Sequence, residues 1–115
     1  MREEITINSI LLTQDSNLII RLSGEIDHHT SKELRDKIDR EIFQGEIRRV
    51  IFDFNSVSFM DSSGIGLIMG RYRLMEAVGG KVCLFGVSKN LDKLIELSGI
   101  KKIVSICESE EELWS

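Results

Sequence analysis

Short apolar runs alternate with amphipathic helical segments along this chain, and no proline interrupts either. That alternation constrains the fold more than any single residue. Strand–helix–strand units place parallel neighbours in one sheet through right-handed crossovers. Residues 5–13 and 18–23 read as two strands separated by the polar turn Gln14-Asp15-Ser16-Asn17, an opening hairpin. Gly24 is expected to end the second strand. Thr30, three residues before Glu33, has the capping-box spacing of a helix start. Leu34, Ile38 and Ile42 then recur at four-residue steps as one apolar stripe, and Gly45 is a natural stop. Val50-Ile51-Phe52-Asp53-Phe54 reads as a strand without alternation, which suits a sheet covered on both faces. A second helix is expected over residues 62–78, closed by Gly79-Gly80, followed by a buried strand at 82–85. Ser88 caps a third helix through Leu97, stopped by Ser98-Gly99. Residues 103–106 form the last strand, and Ser109 with Glu112 starts a short acidic helix to Trp114. The expected fold class is α/β: one domain over residues 1–115, a small mixed β-sheet made of an opening hairpin and βα repeats, with helices packed against it.

Composition narrows the function. At 115 residues, 42% apolar and 30% charged, the chain can bury a real core. Disorder, a collagen-like fibre and a disulfide scaffold are excluded. No apolar run approaches the roughly 18 residues of a membrane span. The net charge of −4 argues against nonspecific nucleic-acid binding through a basic surface. The opening Met1-Arg2-Glu3-Glu4 has no signal-peptide character, so the expected address is the cytoplasm. Cys83 and Cys107 read as small buried strand residues with free thiols rather than a disulfide. The tail acids Glu108, Glu110, Glu111 and Glu112 read as a solvated helix start, and Trp114 is expected to pack on the domain.

Sites in such folds favour the carboxyl edge of the parallel strands. Three connections gather there, at 24–30, 55–62 and 86–88, holding Asp27, His28, His29, Asp61, Ser62 and Ser63. The bland reading of Asp61 and Ser62 is helix capping. The sharper one is a phosphorylation or anion site, because a helix N-terminus offers free N–H groups and the positive end of the dipole. Gly64, Gly66 and Gly70 each cost a helix about 1 kcal/mol relative to Ala. Close packing of Gly66 and Gly70 on the sheet or on a partner would explain them. They do not form a dinucleotide loop, since they fall nine residues or more after Phe54 and no acidic residue ends the following strand. His28 and His29 lack a third ligand pattern for a metal. Ser63 lacks the preceding glycine of a nucleophile elbow, that position being Asp61.

Phe59-Met60-Asp61-Ser62-Ser63-Gly64-Ile65-Gly66, followed by Gly70-Arg71-Tyr72, resembles the phosphorylation-loop motif of the STAS domain family. Gly24-Glu25-Ile26-Asp27-His28-His29-Thr30 resembles, more narrowly, the branch that antagonises the anti-sigma-F factor of sporulation. The element order matches over essentially the whole chain, and Ser88 with Leu97-Ser98-Gly99 fits the third-helix region. The resemblance implies a non-enzymatic regulator that takes no cofactor. Its unphosphorylated form binds a serine kinase that is also the anti-sigma-F factor (stage II sporulation protein AB), which frees sigma-F. That kinase then uses ATP to phosphorylate the first serine of the motif, Ser62 here. A membrane-bound serine phosphatase (stage II sporulation protein E) reverses the step. The expected partner-facing set is Asp27, His28, Asp61, Ser62, Ser63, Gly64 and Gly66. A STAS regulator of another partner-switching circuit, such as a stress-response sigma antagonist, shares the Asp-Ser-Ser-Gly motif; the Asp27–Thr30 stretch discriminates against it. A nucleotide-binding protein using the glycine-rich helix start is the remaining alternative.

Overall fold

The computed structural model describes residues 2–6 and 8–114. The element order is β1 (Arg2–Thr6), β2 (Ser9–Gln14), β3 (Asn17–Ile26), α1 (His28–Gln44), β4 (Arg49–Met60), α2 (Ser62–Ala77), β5 (Lys81–Phe85), α3 (Lys89–Ser98), a 3-10 turn η1 (Ile100–Lys102), β6 (Ser105–Cys107) and a second 3-10 turn η2 (Glu110–Trp114). All six strands join one sheet in chain order. The first three are antiparallel, and β3 to β6 are parallel.

The α/β class and mixed sheet are as expected, with local differences. The last strand, expected at 103–106, is Ser105–Cys107, and the expected acidic helix to Trp114 is the 3-10 turn η2. The run 5–13 is two strands, β1 and β2, rather than one. β3 does not end at Gly24 but continues to Ile26. Gly24 sits there at φ +73°, where the β3–β4 register shifts, a left-handed conformation that suits glycine at a bulge. β4 likewise runs on to Met60, so the expected connection 55–62 shrinks to Asp61 alone.

Period-2 placement divides the strands between two cores. Leu18, Ile20, Leu22, Val50, Phe52, Phe54, Val82 and Leu84 join the helix residues Leu34, Ile38, Ile68, Met75 and Ile95 in the main core. Ile19, Ile51 and Cys83 join Leu12, Cys107 and Leu113 in a second, smaller core. Burial on both sides explains the missing alternation in β4. Leu113, fully buried, belongs to η2, so the tail is more than a solvated acidic segment. Arg49 Nη1 donates to the Glu112 carbonyl at 2.9 Å and ties that tail to the sheet. The side chain of Trp114, expected to pack on the domain, lies outside the described residues. Cys83 and Cys107 are free and buried. Burial and the neighbouring Cys83 push the Cys107 thiol up to about 11. Among the described residues no helix is long and apolar enough to cross a membrane.

Candidate functional site

The register Ile26↔Met60 brings the ends of β3 and β4 side by side at the carboxyl edge. The next residue of each strand, Asp27 and Asp61, is the N-cap of the following helix. Both caps are extended, at φ −114°, ψ −171° and φ −102°, ψ −172°. The main-chain N–H of Asp61 donates to the Ile26 carbonyl at 3.2 Å, locking the two helix starts together.

α1 is capped by Asp27, not by Thr30 as the spacing with Glu33 had implied. Asp27 Oδ1 accepts from the Thr30 N–H at 3.0 Å, and the Thr30 hydroxyl accepts from the Asp27 N–H at 2.9 Å. Thr30 takes the reciprocal place in this box that Glu or Gln usually fills. The Thr30 main-chain N–H, with its hydroxyl in support, holds the Asp27 carboxyl below its ordinary value.

α2 begins differently. Asp61 Oδ1 accepts from the Ser63 N–H at 2.8 Å and also from the Ser63 hydroxyl. Ser63 Oγ lies 3.2 Å from Ser31 Oγ of α1. Ser62, the first residue of the helix, is exposed, and among the described residues its hydroxyl has no hydrogen-bond partner. Gly64 is buried in the first turn; a Cβ there would overlap the Met60 side chain. Close approach to β4 therefore accounts for Gly64. It does not account for Gly66 or Gly70, where a Cβ would meet open space, so packing on the sheet is not the reason for those two.

Gly66 opens onto a groove of about 370 Å³ between α1 and α2, beside Ser31, Lys32, Arg35, Ser63 and Arg71. His28 lies at its mouth, in the first turn of α1, and is exposed. His29 faces Glu33 at 3.8 Å on the exposed surface. At the groove's base Arg71 Nε meets Asp39 Oδ1 at 3.0 Å. Burial lowers the Arg71 value and raises that of Asp39, with their mutual attraction opposing both shifts. Arg71, Asp39 and Ser31 were not singled out from the sequence as site residues. A signal was present: Arg71 stands four residues after Leu67 and four before Met75, both buried, so it interrupts the buried stripe of α2. Ser31 carried no such mark.

Asp27, His28, Asp61, Ser62, Ser63 and Gly66 thus share one edge, with Gly64 buried behind them. The edge presents one exposed, unengaged hydroxyl at a helix N-terminus, next to a groove bearing cationic side chains. Such an arrangement accepts added negative charge without unfolding the helix.

Comparison with known proteins supports the same direction. The STAS domain model matches residues 8–113. The anti-sigma F factor antagonist of Lysinibacillus sphaericus is 45% identical over 83 residues, 72% of this chain and 71% of the relative. The structure of the anti-sigma factor antagonist SpoIIAA in its unphosphorylated form superposes with a TM-score of 0.82 at 39% identity, covering 91% of this chain and 92% of that one. The Bacillus cell fate determinant SpoIIAA in its phosphorylated form gives 0.69 at 37% identity, covering 97% and 95%. The chain therefore belongs to the STAS domain family, as an anti-sigma factor antagonist of the SpoIIAA type.

Proposed function

We propose that this chain is a cytoplasmic switch of sporulation. Unphosphorylated, it binds the anti-sigma-F serine kinase and releases sigma-F; a phosphate on Ser62 ends that complex, and a serine phosphatase restores it. The observation that carries the reading is the contrast within one helical turn. Asp61 and Ser63 are engaged with each other, while the adjacent Ser62 hydroxyl is exposed and unengaged. A relative at 37% identity exists in a phosphorylated form, which supports regulation by phosphorylation.

The physics of the switch is local. A phosphate adds about −1.5 to −2 charge at the first residue of α2. The helix N-terminus tolerates it, so the fold persists. A partner surface closed over Ser62 would have to strip water from that charge, and any facing carboxylate would repel it. About 3 kcal/mol suffices for a hundredfold loss of affinity. Asp27, His28, Ser63 and Gly66 lie around Ser62 on the proposed docking surface, while Asp61 and Gly64 fix the helix start. The chain contributes a hydroxyl, and the kinase contributes the catalysis.

The test is incubation with the anti-sigma-F kinase and ATP, followed by intact-mass and fragment mass spectrometry. One added phosphate on Ser62 is expected, absent in Ser62→Ala, which still binds the kinase. No addition, or addition at another residue, would overturn the assignment.

A further inference from the structure

The two serines of the motif differ by one residue in sequence, and a kinase that reaches one hydroxyl stands close to the other. Hydrogen-bond direction separates them. Ser63 has a single hydroxyl proton, and an ionised carboxylate can only accept, so that proton goes to Asp61. The 3.2 Å contact between Ser63 Oγ and Ser31 Oγ must then run from Ser31 to Ser63. The result is a directed chain, Ser31 to Ser63 to Asp61, that crosses from α1 to α2. Ser31 is 7% exposed, so water competes little for its hydroxyl. Ser63 Oγ thus has its proton committed to Asp61 and a lone pair committed to Ser31. Ser62 carries neither engagement.

We propose that Ser31 is a specificity-determining positioning residue, which directs the phosphate to Ser62 by holding the hydroxyl of Ser63. The inference rests on the phosphorylation reading above and goes beyond it, because Ser31 lies on another helix and outside the motif. In the transfer, a serine Oγ lone pair attacks the γ-phosphorus of ATP. The new O–P bond forms as the bond to the bridging oxygen of ADP breaks, and the hydroxyl proton passes to the kinase's base. One lone pair of Ser63 Oγ stays free, but the two hydrogen bonds fix the hydroxyl between α1 and Asp61, so that lone pair is not turned to meet the γ-phosphorus in line. Removing Ser31 takes away the bond that holds the Ser63 Oγ against α1 and leaves that hydroxyl free to turn toward ATP.

The experiment compares the full chain, Ser31→Ala and Ser31→Thr with the anti-sigma-F kinase and ATP. Fragment mass spectrometry partitions the phosphate between Ser62 and Ser63. Alanine is a good helix former and fills the buried position without a polar group, and a thermal unfolding scan verifies that the variant is folded. The unchanged chain is expected to carry its phosphate on Ser62. Ser31→Ala should raise the Ser63 share about fivefold, the factor a single neutral hydrogen bond supplies. Ser31→Thr, which keeps the hydroxyl, should restore the original partition. In a Ser62→Ala background, phosphate on Ser63 should appear only when Ser31→Ala is added. An unaltered partition in Ser31→Ala, with Ser62 still modified, overturns the role of Ser31 and leaves the switch standing. A full chain that takes no phosphate on Ser62 overturns the switch itself.

Discussion

α1 and α2 start as near twins, yet only one leaves a hydroxyl unengaged. Each follows a parallel strand, each has an extended Asp N-cap, and the two lie side by side through the Ile26↔Met60 register. The difference comes from the sheet. The Asp61 N–H has a neighbour to bond, the Ile26 carbonyl at 3.2 Å. Asp27 follows the bulged end of β3, beyond the reach of β2, whose pairing stops at Ser9↔Leu22. Its N–H turns instead to the Thr30 hydroxyl. At α1 the local hydroxyl is drawn into the cap, and the box closes on itself. At α2 the sheet satisfies the cap N–H, Ser63 takes the carboxylate, and Ser62 is left over. An unengaged hydroxyl thus arises where strand pairing supplies what a side chain supplies next door.

The largest effect should come from adding charge at the open start. Ser62→Glu should weaken binding to the anti-sigma-F kinase by about a hundredfold or more, measured by titration calorimetry. Thr30→Val, at the closed start, should leave that affinity within a few-fold and act on stability instead. Equal losses from both would break the distinction between a switch and a cap.

Next in size is the tie at the groove's base. Asp39→Ala leaves the Arg71 guanidinium buried without its partner, and urea unfolding should show a loss of about 2–3 kcal/mol. Adding Arg71→Met should recover part of it, because the unpaired charge is then gone. If both helix starts keep their hydrogen bonds in Asp39→Ala, as amide exchange reports, the starts are set locally and not by helix docking. Asp61→Ala should cost about 1 kcal/mol by urea unfolding. It should also loosen the amide exchange of Ser63 without affecting Thr30.

Much of this was legible beforehand, and the misses have physical causes. The helices were marked by Leu34, Ile38 and Ile42 and by the stops at Gly45, Gly79 and Gly99. These are local signals, and the first three expected helices formed close to their bounds, while the fourth, at the acidic tail, is a 3-10 turn. The strand ends were not legible, because Gly24 resembles a terminator and acts as a bulge inside pairing that only the neighbouring strand reveals. The N-cap of α1 was misplaced for a related reason. Thr30 and Glu33 have the right spacing, but so do Asp27 and Thr30, and strand length decides between them. Ser62 could be picked out from its own segment, whereas Ser31 could not. Its contact with Ser63 spans 32 positions and exists only once α1 and α2 are docked.

The smallest effect tests the closed start through pH. The Asp27 carboxyl titrates below its ordinary value of 3.8, because the Thr30 N–H and hydroxyl favour the charged form. A group depressed in the folded state binds fewer protons there than in the unfolded chain. Its contribution is therefore fully present above the ordinary carboxylate value and is lost as pH falls through the depressed one. Asp27→Asn keeps a capping oxygen but has nothing to titrate. The thermal midpoints of the two proteins should differ most at neutral pH and converge as the solution is acidified. The gap should be small, since the carboxyl is open to water and screened by salt. A gap that widened in acid would mean that the box at α1 favours the protonated carboxyl, and the contrast between the two helix starts would then rest on geometry alone.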